Sequence, residues 1–599
     1  MVMRLAMIDW FVIAAYCAAS VGIGVWFSKR AGENTGEYFL AGRKLTWWMA
    51  GTSMVATTFA ADTPLAVSGF VRKGGIYENW FWWSALMGGM LCVFFYARLW
   101  RRARIVTDVE FIELRYKGPS AAALRAFMAI YGGVISNCIV MGWVMLAITK
   151  IATTALGWPE EIPVTLGSTS VVLPGKAVLL AALIVVTLFY TMMSGLWGVV
   201  MTDLVQFVVA MIGAIALAVL VIMRLGGPEE MVRQVLASPG VDPKIISFVP
   251  DLATAGKLAV FTFVVYVTVQ WWGGGQGSGY IAQRMFATKD ERHASLAMLW
   301  FNYAHYVIRS WPWIIVGLAS VVYFPLVKGE DPELAYPKMM VEFLPAGLRG
   351  LMIVSFLAAF MSTIDTQLNY GASYFINDIY RRFIRRDADE KHYVSASRYA
   401  VLGLMILGGI TAWQMTSISG AWKYLAKLSA GAGFVGLLRW YWWRVNPWSE
   451  ISALVVSLIL ANVLPLIKPL DQGDMYPVQL VIIIVVATAV WVAVTFMTKP
   501  VEERHLEEFY RRVRPGGWWG PMAQKCPDVK QDKALPGWPG WIAGVVCIYT
   551  GLFGIGYLCL GRTLAGAAIL ALSFASGWFM LSQASKISPT PQDGPADNP

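Results

Sequence analysis

Apolar runs of roughly 20 residues, the length that crosses a bilayer as a helix, recur from one end of this chain to the other. Inside lipid each run must satisfy its own backbone groups, which favours helices. The runs lie near 8–28, 47–70, 79–100, 123–156, 176–192, 198–223, 257–276, 294–323, 350–380, 395–415, 422–443, 449–467, 477–497, 537–560 and 563–583. Only 14% of the residues are charged, against roughly 25% in soluble proteins. The fold class predicted is an all-α polytopic membrane protein with about 15 spans.

The net charge of +11 does not point to nucleic acid, because the basic residues gather in short loops beside the spans. One set of loops holds Arg43 and Lys44, Arg98 to Lys117, Arg284 to Arg292, Arg381 to Arg386, Arg439 and Arg444, and 499–533. The alternate loops, such as 158–170 and 414–420, are poor in Lys and Arg. The positive-inside rule then puts the N-terminus outside and the C-terminus in the cytoplasm. The expected setting is a bacterial inner membrane. Trp47, Trp48 and the run RWYWWR (439–444) read as interfacial belts.

Two stretches break the apolar pattern: GTSMVATTFAADTPLAVSG (51–69) and LAAFMSTIDTQLNYG (357–371). Both carry hydroxyls and a carboxylate, and an acid inside a membrane marks an ion or solute path. Pro64 cannot donate to the Ala60 carbonyl and biases Thr63 away from helix. This predicts a break at Thr63 that frees the Phe59 carbonyl for water, protein or a cation. The central expectation is Na⁺. A second break is predicted at GGGQGSG (273–279), which cannot form a stable helix interior. Paired broken spans are the best sequence pointer to a transporter site.

The six cysteines and four histidines are scattered, so neither a metal centre nor a disulfide framework is expected. No organic cofactor, nucleic-acid partner or obligate protein partner is suggested, and no nucleophile–base or zinc motif points to an enzyme. In the segment 501–518, Leu506, Phe509, Tyr510 and Val513 form an apolar stripe. It either lies on anionic lipid or packs on the cytoplasmic face. The tail 584–599 reads as disordered.

Four segments, GRKLTWWMAGTSMVATTFAADTP, YTMMSGLWGVVMTDLVQ, YIAQRMFATKDE and AAFMSTIDTQLNYGASYFINDIYRR, occur in this order. Together they resemble the sodium:solute symporter family across roughly 8–470. The resemblance implies a LeuT-like fold of two inverted five-helix repeats. The expected layout is an extra N-terminal span and loop (1–46), repeat one (47–223) and repeat two (257–443). Two accessory spans (449–497), a cytoplasmic amphipathic segment (498–536) and two last spans (537–583) follow.

The resemblance also implies sites. The shared sodium site matches Ala56, Phe59, Ala359, Ser362 and Thr363. Positions 359, 362 and 363 share a helical face. On spacing alone, the favoured reading is that the hydroxyls bond within their own helix or hold two helices together; the family motif reverses it in favour of sodium. A second sodium site matches Thr58, Asp203, Ser362, Asp365 and Thr366, with Asp365 departing from the family's small hydroxyl residue. Two carboxylates there hold a cation or share a proton, or Arg309 neutralises one. Solute candidates are Thr57, Asp62, Thr63, Trp271, Trp272, Gln276, Tyr280 and Arg309. Trp271 and Trp272 either stack on solute or only pack; Arg309 pairs with a solute carboxylate or serves as counter-ion to Asp62. His305 reads as a hydrogen-bonded core residue rather than a proton relay. The function implied is Na⁺-coupled symport of a small sugar, amino acid or carboxylate by alternating access. The alternative is a transporter-like sensor without net transport.

Overall fold

The computed structural model describes residues 3–31, 35–166, 169–251, 253–532 and 537–587. The chain is helical almost throughout. Helix α1 (Met7–Ala31) is followed by a broken pair, α2 (Trp47–Thr58) and α3 (Asp62–Gly74), bent by 59°. Then come α4 (Ile76–Ala103), α5 (Pro119–Leu156) and α6 (Gly175–Arg224). A second broken pair, α7 (Lys257–Gly274) and α8 (Gly279–Phe286), bends by 52°. The run continues with α9 (Glu291–Tyr323), α10 (Leu348–Ile384), α11 (Glu390–Gln414), α12 (Ile418–Leu438), α13 (Pro447–Leu466) and α14 (Gly473–Met497). Last are α15 (Glu503–Val513), α16 (Gly537–Cys559) and α17 (Thr563–Ile587). Among the described residues ten helices are long and apolar enough to span, or twelve counting each bent pair once. The sequence reading expects about 15.

The polar ends of the helices define two faces. On one, Arg101 donates to Thr288 O (2.7 Å), and Arg102 pairs with Glu291 (2.8 Å) and Asp532 (3.2 Å). On the other, Lys150 pairs with Asp331 (2.7 Å) and Glu333 (2.5 Å), and Glu333 accepts the Ser419 N–H (2.9 Å). Helix α6 is one run of 50 residues where two spans are expected. Straight, it would extend ~75 Å, over twice the hydrocarbon thickness. Its Lys176 end reaches Trp413 O (2.9 Å) at the Glu333 face, while Trp197 reaches Glu37 (3.1 Å) on the arginine-rich face. Its far end, Arg224, is an electrostatic neighbour of Tyr323 at the Glu333 face again. The run therefore doubles back.

The loop expected at 158–170 contains part of a β-hairpin, β1 (Glu161–Leu166) against β2 (Thr169–Pro174). The stripe of α15 does not lie on lipid. Leu506, Phe509, Tyr510 and Val513 are all buried, with Phe509 stacked on Trp519. Two placements differ from the sequence reading: Arg284 lies in α8 rather than in a loop, and Trp440 lies in the core rather than in a belt. Arg115 and Arg284 are fully buried, and Arg98 and Arg439 nearly so. Trp440, expected in a belt, is also fully buried and packs on Trp100 and Phe111. Arg115 has acceptors that lie far away in sequence, donating to the carbonyls of Arg439, Trp442, Trp443 and Val445, whereas Arg439 pairs with the nearby Glu450 (3.1 Å).

Helix α16 is fastened to the core by ring and hydroxyl donors. Trp541 donates to Met87 O (2.9 Å), Tyr549 to Trp83 O (3.0 Å), and Trp311 of α9 to Leu552 O (2.7 Å). Gly556 permits the approach, since a Cβ there would meet the Trp311 ring at 1.9 Å. Residues 588–599, most of the expected disordered tail, lie outside the described residues.

Candidate ion and solute site

The first break is at Phe59 to Ala61, not at Thr63. Thr63 and Pro64 belong to the first turn of α3, and the Thr63 N–H reaches Ala60 O (3.1 Å). The correction has a simple cause: in a first turn the missing proline N–H has no helical acceptor to lose. Phe59 itself leaves the helix at φ −87°, ψ 68°.

The last carbonyls of α2 are then accounted for one by one. The Phe59 N–H is shared between Val55 O (2.8 Å) and Ala56 O (3.1 Å). Val55 O also receives Arg309 Nη1 (3.2 Å) and the Thr58 hydroxyl (3.0 Å). Thr57 O receives the Thr363 hydroxyl (2.8 Å), and Thr58 O the Thr63 hydroxyl (3.3 Å). Among the described residues no backbone N–H donates to Phe59 O.

Helix α10 supplies the facing wall. Hydroxyl oxygens that hold a cation must send their protons elsewhere, and both candidates do. Ser362 donates to Asp203 Oδ1 (2.5 Å); Thr363 donates to Thr57 O and to Ala359 O (3.1 Å). Each keeps lone pairs. Ala56, Phe59, Ala359, Ser362 and Thr363 are all buried at this crossing of α2 and α10.

The members of the second set are differently disposed. Asp203 and Thr366 are fully buried around Arg284. Asp203 Oδ2 accepts the Ser53 hydroxyl (2.5 Å) and lies 3.7 Å from Arg284 Nη2, which donates to Thr366 Oγ1 (2.7 Å). Thr58 is turned away, donating to Met54 O (2.9 Å) and meeting His305 Nδ1 (3.3 Å). Asp365, also fully buried, lies in electrostatic reach of Tyr16 on α1.

Among the solute candidates, Asp62 begins α3, where the positive end of the helix favours a carboxylate. Its Oδ2 accepts Trp422 Nε1 (3.1 Å), and its buried Oδ1 has no partner among the described residues. Tyr280 is in electrostatic reach of Asp62, Arg309 and Arg284 together. Arg309 is aimed by a widened turn. Pro312 leaves Ile308 O without its helical donor, and the Arg309 N–H reaches back to Ala304 O (3.2 Å). Arg309 then donates to Val55 O and to His305 Nε2 (3.2 Å), with Trp313 beside it (5.4 Å). A guanidinium cannot accept, so His305 carries its proton on Nδ1 and donates to Thr58. Arg309 therefore forms hydrogen bonds to the break and to His305, and no ion pair with Asp62.

Thr57 Oγ1 meets Thr366 Oγ1 (3.1 Å), on the α10 side of α2. Trp272 packs on Phe434 (4.8 Å), and Trp271 donates to Val267 O (3.2 Å). Gln276 accepts from Trp440 Nε1 (3.1 Å). Three residues at this centre escape the sequence reading. Trp422 sits in an ordinary apolar run. Ser53 is one hydroxyl among many. Arg284 stands with the loop cations, although Met285, Phe286, Ala287 and Thr288 separate it from Lys289.

A family model, the sodium:solute symporter family, matches residues 38–457. The chain belongs to the sodium:solute symporter family. Relatives include sodium/glucose cotransporter 4 of Danio rerio, 26% identical over 88% of this chain and 83% of its own length. The sodium/glucose cotransporter of Vibrio parahaemolyticus is 25% identical, over 81% and 90%. A solved structure of a Na⁺-coupled sialic acid symporter, in a substrate-bound outward-open state, superposes with a TM-score of 0.64. It is 20% identical and covers 83% of this chain and 100% of its own. The symporter described here thus has the LeuT-like fold. It is a multi-pass membrane protein that couples Na⁺ to a small-molecule solute; it is a transporter and not an enzyme.

Proposed function

We propose that the symporter takes up a small hydrophilic organic solute through the space around Asp62, Tyr280 and Arg309, with Na⁺ held by Ala56, Phe59, Ala359, Ser362 and Thr363. The observation that carries this is the first break. The carbonyl end of α2 meets two hydroxyls whose protons are already committed, and the start of α3 holds a buried carboxylate oxygen with no partner. That oxygen accepts a hydrogen bond, so the solute brings a donor: a sugar hydroxyl or an amino group. Arg309 is spent on the break and acts there as a fixed cation rather than as a solute contact. Na⁺ between α2 and α10 orders the break and favours the outward-open state. Solute then fits, and rocking of the broken helices exposes both to the other side.

The arginine-rich face is cytoplasmic, the N-terminus is outside, and the membrane is a bacterial inner membrane. At about −100 mV each Na⁺ contributes roughly 2.3 kcal/mol, a little under two decades of accumulation. The test is Na⁺-gradient-driven uptake in proteoliposomes, screened over sugars, amino acids and carboxylates. Uptake of one class that collapses with the gradient is the expected result. Sodium binding with no uptake of any solute overturns the reading in favour of a sensor.

A further inference from the structure

The environment of Asp203 departs from a cation site in one respect. The place a metal ion would take beside this carboxylate already holds a positive group of the chain. Arg284 comes from α8, the half-helix after the second break. Its Nη2 lies 3.7 Å from Asp203 Oδ2, and both side chains are fully excluded from solvent. The rest of the guanidinium is also engaged: Nε donates to Ser53 Oγ (3.1 Å), Nη1 to Gln283 Oε1 (2.9 Å) and Nη2 to Thr366 Oγ1 (2.7 Å). Gln283 is itself fixed, donating to Phe39 O (3.0 Å) and Asn369 Oδ1 (2.9 Å). Both oxygens of Asp203 accept short hydroxyl bonds, from Ser53 and Ser362 (2.5 Å each).

A transported ion at Asp203 would have to share one carboxylate with an immovable guanidinium in a dry site. Like charges at such a distance repel strongly where water is excluded, and a buried charge left unpaired is costly. We infer that Arg284 is a tethered cation standing in place of a second transported ion at Asp203, so that the symporter couples one Na⁺ per cycle. The inference rests on the sodium reading of the α2–α10 site. Asp203 then has an indirect role: it takes the Ser362 proton and turns that oxygen's lone pairs toward the single ion. The link is also mechanical, because Ser53 and Arg284 sit on the two broken helices while Asp203 and Ser362 sit on α6 and α10.

The test counts ions without needing the solute. Equilibrium binding of radioactive ²²Na⁺ to the purified full chain in detergent is expected to saturate at one per chain, with a Hill coefficient of one. Arg284→Gln uncovers Asp203 and is expected to raise the count to two, while Arg284→Lys keeps it at one. Asp203→Asn added to Arg284→Gln returns it to one. Two ions on the unaltered chain overturn the inference but leave symport standing, and no ion on it refutes the sodium reading as well. A failure of Arg284→Gln to fold does not spare the proposal, since the count on the unaltered chain decides.

Discussion

Replacing Thr363 by valine keeps the shape of the side chain and removes one oxygen. In the structure that oxygen sends its proton to Thr57 O at 2.8 Å and offers its lone pairs to the crossing of α2 and α10. Two losses follow. Thr57 O is left buried without that donor, which costs about 1–3 kcal/mol whether or not Na⁺ is present. The ion loses one ligand. Taking a charge-assisted contact at about 1.5–3 kcal/mol, Na⁺ affinity falls roughly 10- to 150-fold. The two are separable by thermal unfolding in detergent with and without Na⁺. At 100 times the dissociation constant, Na⁺ stabilises the parent by about 2.7 kcal/mol. A variant whose affinity is about 100-fold weaker retains only ~0.4 kcal/mol at the same concentration. The choline-buffer midpoint drops modestly and the Na⁺-dependent rise nearly vanishes. Thr363→Ser, which keeps the oxygen, retains the rise. A Thr363→Val protein that is destabilised yet gains as much from Na⁺ as the parent would falsify the ligand role and leave the hydroxyl as helix glue.

Asp62→Asn is expected to lower solute uptake at least about tenfold, some 1.4 kcal/mol, while Na⁺-dependent stabilisation is unchanged; unaltered uptake removes Asp62 from the solute site. Arg115→Ala strips four backbone carbonyls of a shared donor. The same guanidinium lies over the rings of Phe509 (5.4 Å) and Trp519 (4.8 Å), so the change should cost about 3 kcal/mol and open the segment 503–532 to protease; a segment that stays protected refutes that anchoring. Burial raises the Glu113 carboxyl, but hydrogen bonds from Arg382 and Arg125 outweigh it and hold the group below its ordinary range. Its stabilising contribution is therefore present above the ordinary carboxylate range and is lost as pH falls through the lowered value. The melting gap between the parent and Glu113→Gln should close as the pH falls from the ordinary carboxylate range through the lowered value, and a gap independent of pH contradicts the assignment.

What could be read from the chain was whatever is encoded locally. Span length, the polyglycine break and the hydroxyl-bearing helix are properties of short windows; the structure has the second break and the helix α10 where they are expected, but ten to twelve candidate spans among the described residues rather than about 15. Pro64 misled by three residues, because a proline constrains the residue before it and also suits a first turn; only the geometry of Phe59 decides. The errors at Arg284 and Trp440, and the unforeseen burial of Arg115, share one origin. A basic or aromatic residue near a span end looks solvated until its partners are known. Those partners, Asp203, the end of α12 and Phe111, arrive from distant parts of the chain. Trp422 had no local mark at all, since its significance is a single indole N–H that meets Asp62.

The three fastenings of α16 bear on how the molecule can be observed. All three run to α4 and α9, and α16 lies outside the matched region 38–457. The C-terminal hairpin is thus coupled to core helices from both repeats. Phe574 and Trp578 on α17 are more than three-quarters exposed. A fluorophore or spin label placed at either would ride with those core helices and report their tilt from the lipid side, leaving the ion path untouched.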